Sequence, residues 1–144
     1  MNNLYLVLAV VVGAGLAVQV MVNAQLRLAT SSAVWAAVLQ FVVGLMGLAA
    51  AVLILRLPLP ATLPRSPWWI WIGGLIGATY ILVSVVLVSR LGAALLLASI
   101  VVGQLAASLL IDHYGWLGAP VHRVSAARLL GAGLLVAGVA LIRR

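Results

Sequence analysis

The sequence predicts an all-α membrane protein with five transmembrane helices. Two observations carry that prediction. Hydrophobic residues fill 67% of the 144 positions and charged residues 6%, against roughly a quarter charged in an ordinary globular protein. The apolar residues also fall into five long runs, each enough for a hydrocarbon core about 30 Å thick, which takes roughly 20 helical residues. The runs cover approximately 4–23, 34–55, 68–88, 92–111 and 124–142. They are too long for barrel strands and lack the alternating polarity of those strands. Residues 1–144 therefore read as a single integral membrane domain with its termini on opposite sides.

Each run has its own boundary signals. The first follows Met1-Asn2-Asn3, which has no basic n-region, so it reads as a retained helix and not as a signal peptide. The second ends at "RLPLPATLPRSP" (56–67), whose four prolines favour a stiff, extended connector. Trp68, Trp69 and Trp71 then open the third run as an interfacial aromatic belt. "SRLG" (89–92) is so short that the third and fourth helices are expected to form a tight antiparallel hairpin. "HYGWLGAPVHRVS" (113–125) is an aromatic loop at headgroup level before the fifth run. There "GAGLLVAG" places Gly131, Gly133, Ala137 and Gly138 within two turns. Small residues at that spacing let helices approach closely in lipid, so this helix is expected to be a packing or dimer surface, the alternative being that Gly and Ala are simply common in transmembrane helices.

Polar residues within the runs share helix faces. Gln19 and Asn23 stand four apart on the first helix, and Gln40 precedes Gly44 by one turn on the second. Tyr80 and Ser84 lie on the third, on the same face as Gly73 and Gly77, and Gln104, Ser108 and Asp112 step by four along the fourth. Intramembrane polar groups usually face a bundle interior or a cavity. Gln19, Asn23, Gln40, Tyr80, Ser84, Gln104 and Ser108 are accordingly the candidate contacts for a small polar solute. The alternative for each is a hydrogen-bonded packing contact between helices. Asp112 is the sole acidic side chain. It is either a coupling or gating group at a cavity mouth, or an interfacial anion paired with Arg123 or Arg128. An anion at a helix C-terminus calls for such a partner.

Several function classes are disfavoured. The net charge of +7 comes from eight arginines at the ends of apolar runs, without the basic stripe that tracks nucleic-acid phosphates. With no cysteine there is no disulfide, thiol chemistry or thiolate metal site. His113 and His122 beside Asp112 lack a defined zinc geometry, and no cofactor is expected. No catalytic triad or paired carboxylate is present, so the chain reads as a non-enzyme.

The arginines also bear on orientation. With the helices alternating, Arg56, Arg65, Arg123 and Arg128 lie on the N-terminal side, and Arg27, Arg90, Arg143 and Arg144 on the other. Arginine asymmetry normally sets orientation, and here the two sides balance. The favoured reading is insertion in both orientations, with opposite copies pairing as an antiparallel ten-helix homodimer. The alternative is a single orientation fixed by another signal, such as the aromatic-rich N-terminal side.

The segments "VNAQLR" (22–27), "PWWIWIGGLIGATY" (67–80), "LGAALLLASIVVGQLAASLLIDHYGWLG" (91–118) and "RLLGAGLLVAGVALI" (128–142) resemble the YdcZ family of the drug/metabolite transporter superfamily. The most specific part is GQ-x-x-x-S-x-x-x-D-x-x-G, from Gly103 to Gly115. The resemblance covers essentially the whole chain. It implies a bacterial inner-membrane protein equivalent to half of a ten-helix transporter, working as a dual-topology chain or with a paralogous partner. Unlike the four-helix small multidrug resistance relatives, which carry a glutamate in the first helix, this chain has Gln19 and Asn23 there and no acid. The expected function is a small-solute secondary transporter using alternating access, with amides favouring a polar, neutral or weakly charged solute. A non-transporting membrane subunit and a passive channel are the alternatives.

Overall fold

The computed structural model describes residues 3–60 and 67–143. Five α-helices are present among them, in two compact units, 1–90 and 91–144. The first unit holds α1 (Asn3–Thr30), α2 (Ala33–Ile54) and α3 (Ile72–Leu91). The second holds α4 (Ala93–Tyr114) and α5 (Ala126–Ile142).

Four helices are long and apolar enough to cross a membrane, α3 being counted with the 3-10 turn Trp68–Trp71 that precedes it. At 17 residues, or about 26 Å, α5 falls just short of a full span.

α1 runs on to Thr30, well past the expected end near residue 23. Hydropathy drops at Asn23, but Ala24, Gln25, Leu26 and Arg27 are all strong helix formers, and Arg27 in the last turn suits the helix dipole. At 28 residues α1 is about 42 Å long, so it tilts or projects into the headgroup region. The turn to α2 is correspondingly tight. Ser31 takes a positive φ of 52°, and the Ser32 hydroxyl caps α2 by accepting from the Trp35 N–H at 3.3 Å.

α2 begins and ends within a residue of expectation. Its end is a Schellman turn, in which the Arg56 N–H donates to the Leu53 carbonyl and the Leu57 N–H to that of Val52. The left-handed position is held by Arg56 (φ 49°), where glycine is usual. Of the proline-rich connector, residues 61–66 lie outside the described residues; 57–60 form no helix or strand.

The three tryptophans form the exposed 3-10 turn, so the α-helix proper starts at Ile72 and not at 68. It continues to Leu91, leaving Gly92 as the one residue before α4. Gly92, at φ 75° and ψ 162°, occupies a backbone region essentially restricted to glycine.

Packing in the first unit is confined to one end. Val20 and Asn23 of α1, Ala36 and Ala37 of α2, and Ile81, Ser84, Val85 and Val88 of α3 are buried. Alanines at 36 and 37 let the helices come close, and Ala36, Ala37, Ile81 and Val85 form one cluster against which Leu26 and Tyr80 pack. The other end of the unit, comprising the first half of α1, the second half of α2 and the start of α3, is exposed throughout. In water such a surface would be untenable; in a bilayer it meets acyl chains or another helix.

In the second unit α4 and α5 pack together through the loop that joins them. The glycines of α5 are open, because a Cβ added at Gly131, Gly133 or Gly138 would meet no atom within 4 Å.

Candidate functional site

The polar residues of the first unit converge at its packed end. Asn23, four residues after Gln19 on α1, is 3% exposed, and its Nδ2 donates to Oε1 of Gln40 on α2. This pairing satisfies the buried Asn amide across the helix pair. Ser84 is equally buried on α3, and Tyr80, one turn before it, is half-buried against the alanine cluster. Gln19 is half-buried and extends the same stripe toward the open end. All five predicted residues of this unit therefore lie on its inward side.

A sixth member was not foreseen. Arg27 continues the spacing of four from Gln19 and Asn23, and its side chain reaches across to α3. Nη1 donates to Ser89 Oγ at 2.9 Å and to the Val85 carbonyl at 3.4 Å. Ser89 in turn donates to the Val86 carbonyl. The contact brings the C-terminal ends of α1 and α3 to one side. The sequence signal was available in the i, i+4, i+8 series, but Arg27 lay beyond the expected helix end and served there only as a topology marker.

In the second unit Gln104 and Ser108 are exposed on α4, and the Ser108 hydroxyl turns back to the Leu105 carbonyl at 3.0 Å. Below them, Asp112 Oδ2 accepts from Arg128 Nη2 at 3.3 Å, with both side chains partly exposed. Of the two expected partners, Arg128 makes the contact. It stands in the first turn of α5, three residues after the N-cap Ser125, whose hydroxyl accepts from its N–H. Asp112 stands in the last turn of α4, so each charge faces the unfavourable end of its own helix dipole, and the pair offsets both.

The loop between them is fastened at several points. Arg128 Nη1 donates to the His122 carbonyl, the His122 N–H to the Asp112 carbonyl at 2.8 Å, and the Val124 N–H to His113 Nδ1. Gly115 makes the turn possible. Its φ is +66°, and a Cβ there would sit 2.7 Å from Val121 Cγ2. Among the described residues no three His, Asp or Glu side chains gather to hold a metal ion.

Two recesses flank these polar groups. One, of about 630 Å³ between α2 and α3, is lined by Ala37, Phe41, Gly74 and Leu82, with the Thr79 hydroxyl turned back to the Leu75 carbonyl. It offers no polar anchor. The other, of about 640 Å³ between α4 and α5, has Val102, Val136 and Val139 as walls with Ser99 and Arg143 at its margin.

Comparison with known families decides the class of the molecule. The family model described as "Putative inner membrane exporter, YdcZ" matches residues 4–141, nearly the whole chain. The chain belongs to the YdcZ family. No curated protein and no solved structure matches it. Membership and the long apolar helices make this YdcZ protein a multi-pass inner-membrane protein of a transporter family.

Proposed function

We propose that this YdcZ chain is half of a secondary transporter that moves a small polar solute by alternating access, assembled from two copies in opposite orientations. The observation that carries the reading is the buried amide pair Asn23–Gln40 with Ser84 beside it, at the packed end of a unit whose other end is open. Such a unit resembles one gate of a carrier: closed by helix contacts at one membrane face and unsealed at the other. A second copy turned over would supply the opposite gate, the inverted symmetry that alternating access uses.

Three features support this arrangement. The arginines divide four and four between the two sides when α5 is taken as a fifth crossing, so neither orientation is preferred. The small residues of α5, Gly131 with Gly138 on one side and Gly133 with Ala137 on the other, suit close contact with another helix. Gln104 and Ser108 offer an exposed polar face for further solute contacts. Asp112, held by Arg128, is assigned first to anchoring the α4–α5 loop, and a gating role would require that pair to open.

The test is counterflow in proteoliposomes over a panel of small polar solutes, with wild type, Asn23→Leu and Gln40→Leu. A carrier shows exchange-stimulated uptake of at least one solute, reduced about tenfold or more by loss of an amide that contacts it, a change worth roughly 1.4 kcal/mol. Equal uptake in all three proteins would reduce the amide pair to a packing contact. Leak without exchange stimulation would identify a channel.

A further inference from the structure

We infer that Arg27 is an oxyanion-binding group, so the solute carries a carboxylate or phosphate that this guanidinium receives beside the Asn23–Gln40 pair. The inference rests on the transport reading and narrows the solute from polar to anionic.

Three observations on the first unit carry it. First, the side chain lies across to the neighbouring helix. An interfacial arginine that merely anchors a helix sends its guanidinium out to water. Arg27 instead bonds across to α3, to the exposed Ser89 near the helix end and, at 3.4 Å, to the carbonyl of Val85, which is 1% exposed and lies about 9 Å before that end at Leu91. Second, among the described residues no acidic group meets the charge. Its partners are a hydroxyl and a carbonyl, whereas the one acidic side chain of the chain, Asp112, is engaged by Arg128. The carbonyl ends of α1 and α3 supply this half-buried cation with partial negative charge only, so an anion that reaches the guanidinium must outweigh those dipoles and would give it a full counter-charge. Third, the geometry of the bonds leaves the right donors over. Both contacts use Nη1, and among the described residues Nε and Nη2 make no hydrogen bond. Those two nitrogens form the edge that grips a carboxylate or phosphate bidentately.

The surroundings complete the site. Asn23 is one turn from Arg27 on the same face of α1, so an oxyanion on the guanidinium would have the amide pair next to it for the remainder of the solute. Ser89 fixes the guanidinium from the far side, as a positioning residue. An anion there would sit at the packed end of the unit, where binding can loosen or tighten the contact between α1 and α3.

The same chemistry is shared by phospholipid headgroups, and the experiment separates the two sources. Thermal unfolding of the full-length protein is followed in phosphatidylcholine nanodiscs with added inorganic phosphate or succinate, against chloride at equal ionic strength. Wild type should be stabilised by either oxyanion in a saturable way. Arg27→Lys should keep part of the effect, and Arg27→Gln should weaken the apparent affinity about tenfold or more, the loss of a charge-assisted hydrogen-bonded contact. Ser89→Ala, which leaves the cation in place, should weaken it less than Arg27→Gln. No stabilisation by either anion, or equal stabilisation of wild type and Arg27→Gln, overturns the inference. Stabilisation seen only when phosphatidylglycerol replaces phosphatidylcholine assigns the site to a lipid headgroup and also overturns it. Because the readout is binding, a protein that binds oxyanions through Arg27 yet shows no counterflow would sink the transport reading alone.

Discussion

Exchanging the charges of the one acid–base pair separates an anchoring Asp112 from a working one. In the wild type Asp112 lies in the last turn of α4 and Arg128 in the first turn of α5. Each is at the wrong end of its helix dipole, at about 0.5 kcal/mol apiece. In the doubly exchanged protein, Asp112→Arg with Arg128→Asp, the pair persists and both charges move to the favourable ends. That reversal is worth roughly 2 kcal/mol, since two penalties become two gains of similar size. Against it stands the Arg128 Nη1 bond to the His122 carbonyl, which an aspartate cannot donate and which is worth about 1 kcal/mol. The net expectation is a protein about 1 kcal/mol more stable than wild type. Both sites are on the same side of the membrane, so the arginine balance is untouched. Chemical or thermal unfolding in detergent reads the stability, and proteoliposome uptake the function. Higher stability with uptake retained confirms the anchor; higher stability with uptake lost assigns Asp112 to gating or coupling. A doubly exchanged protein less stable than wild type by 1 kcal/mol or so would refute the dipole argument.

Three further substitutions probe the fold around the site. Gly115→Ala must adopt φ +66° and displace Val121, so it should lose about 2–3 kcal/mol in the same unfolding assay, with roughly 1 kcal/mol recovered by adding Val121→Ala. A double-mutant cycle on Asn23→Leu and Gln40→Leu should give a coupling of about 0.6–1.7 kcal/mol, and a coupling of zero would mean the amides do not bond in the membrane. Arg56→Gly places glycine at the left-handed position of the turn after α2 and should raise stability by about 1 kcal/mol, read as a higher midpoint of thermal unfolding.

What the sequence made legible followed from periodicity and hydropathy. The membrane class, the five helices and the inward placement of Asn23 and Ser84 all rest on apolar length or on steps of four along a helix. Helix ends were read less well. Hydropathy stops at Asn23, but backbone hydrogen bonding does not, and helix-forming polar residues carried α1 on to Thr30 and with it brought Arg27 onto the polar stripe. The reverse happened at the third helix, where apolar tryptophans belong to a 3-10 turn. Partners across helices were out of reach. That Asn23 meets Gln40 depends on how closely Ala36 and Ala37 let α1 and α2 approach, a register no single helix encodes. The choice of Arg128 over Arg123 for Asp112 likewise depends on Ser125 starting α5, which sets Arg128 in the first turn.

The central claim, an inverted pair of identical chains, is tested most directly by the orientation of the N-terminus. The chain has no cysteine, so Asn2→Cys introduces a single thiol. Labelling with a membrane-impermeant maleimide in intact spheroplasts, compared with labelling after permeabilisation, gives the fraction of chains with that end outside. The balanced arginines predict about half. A fraction near zero or near one, with no partner chain present, would contradict the account.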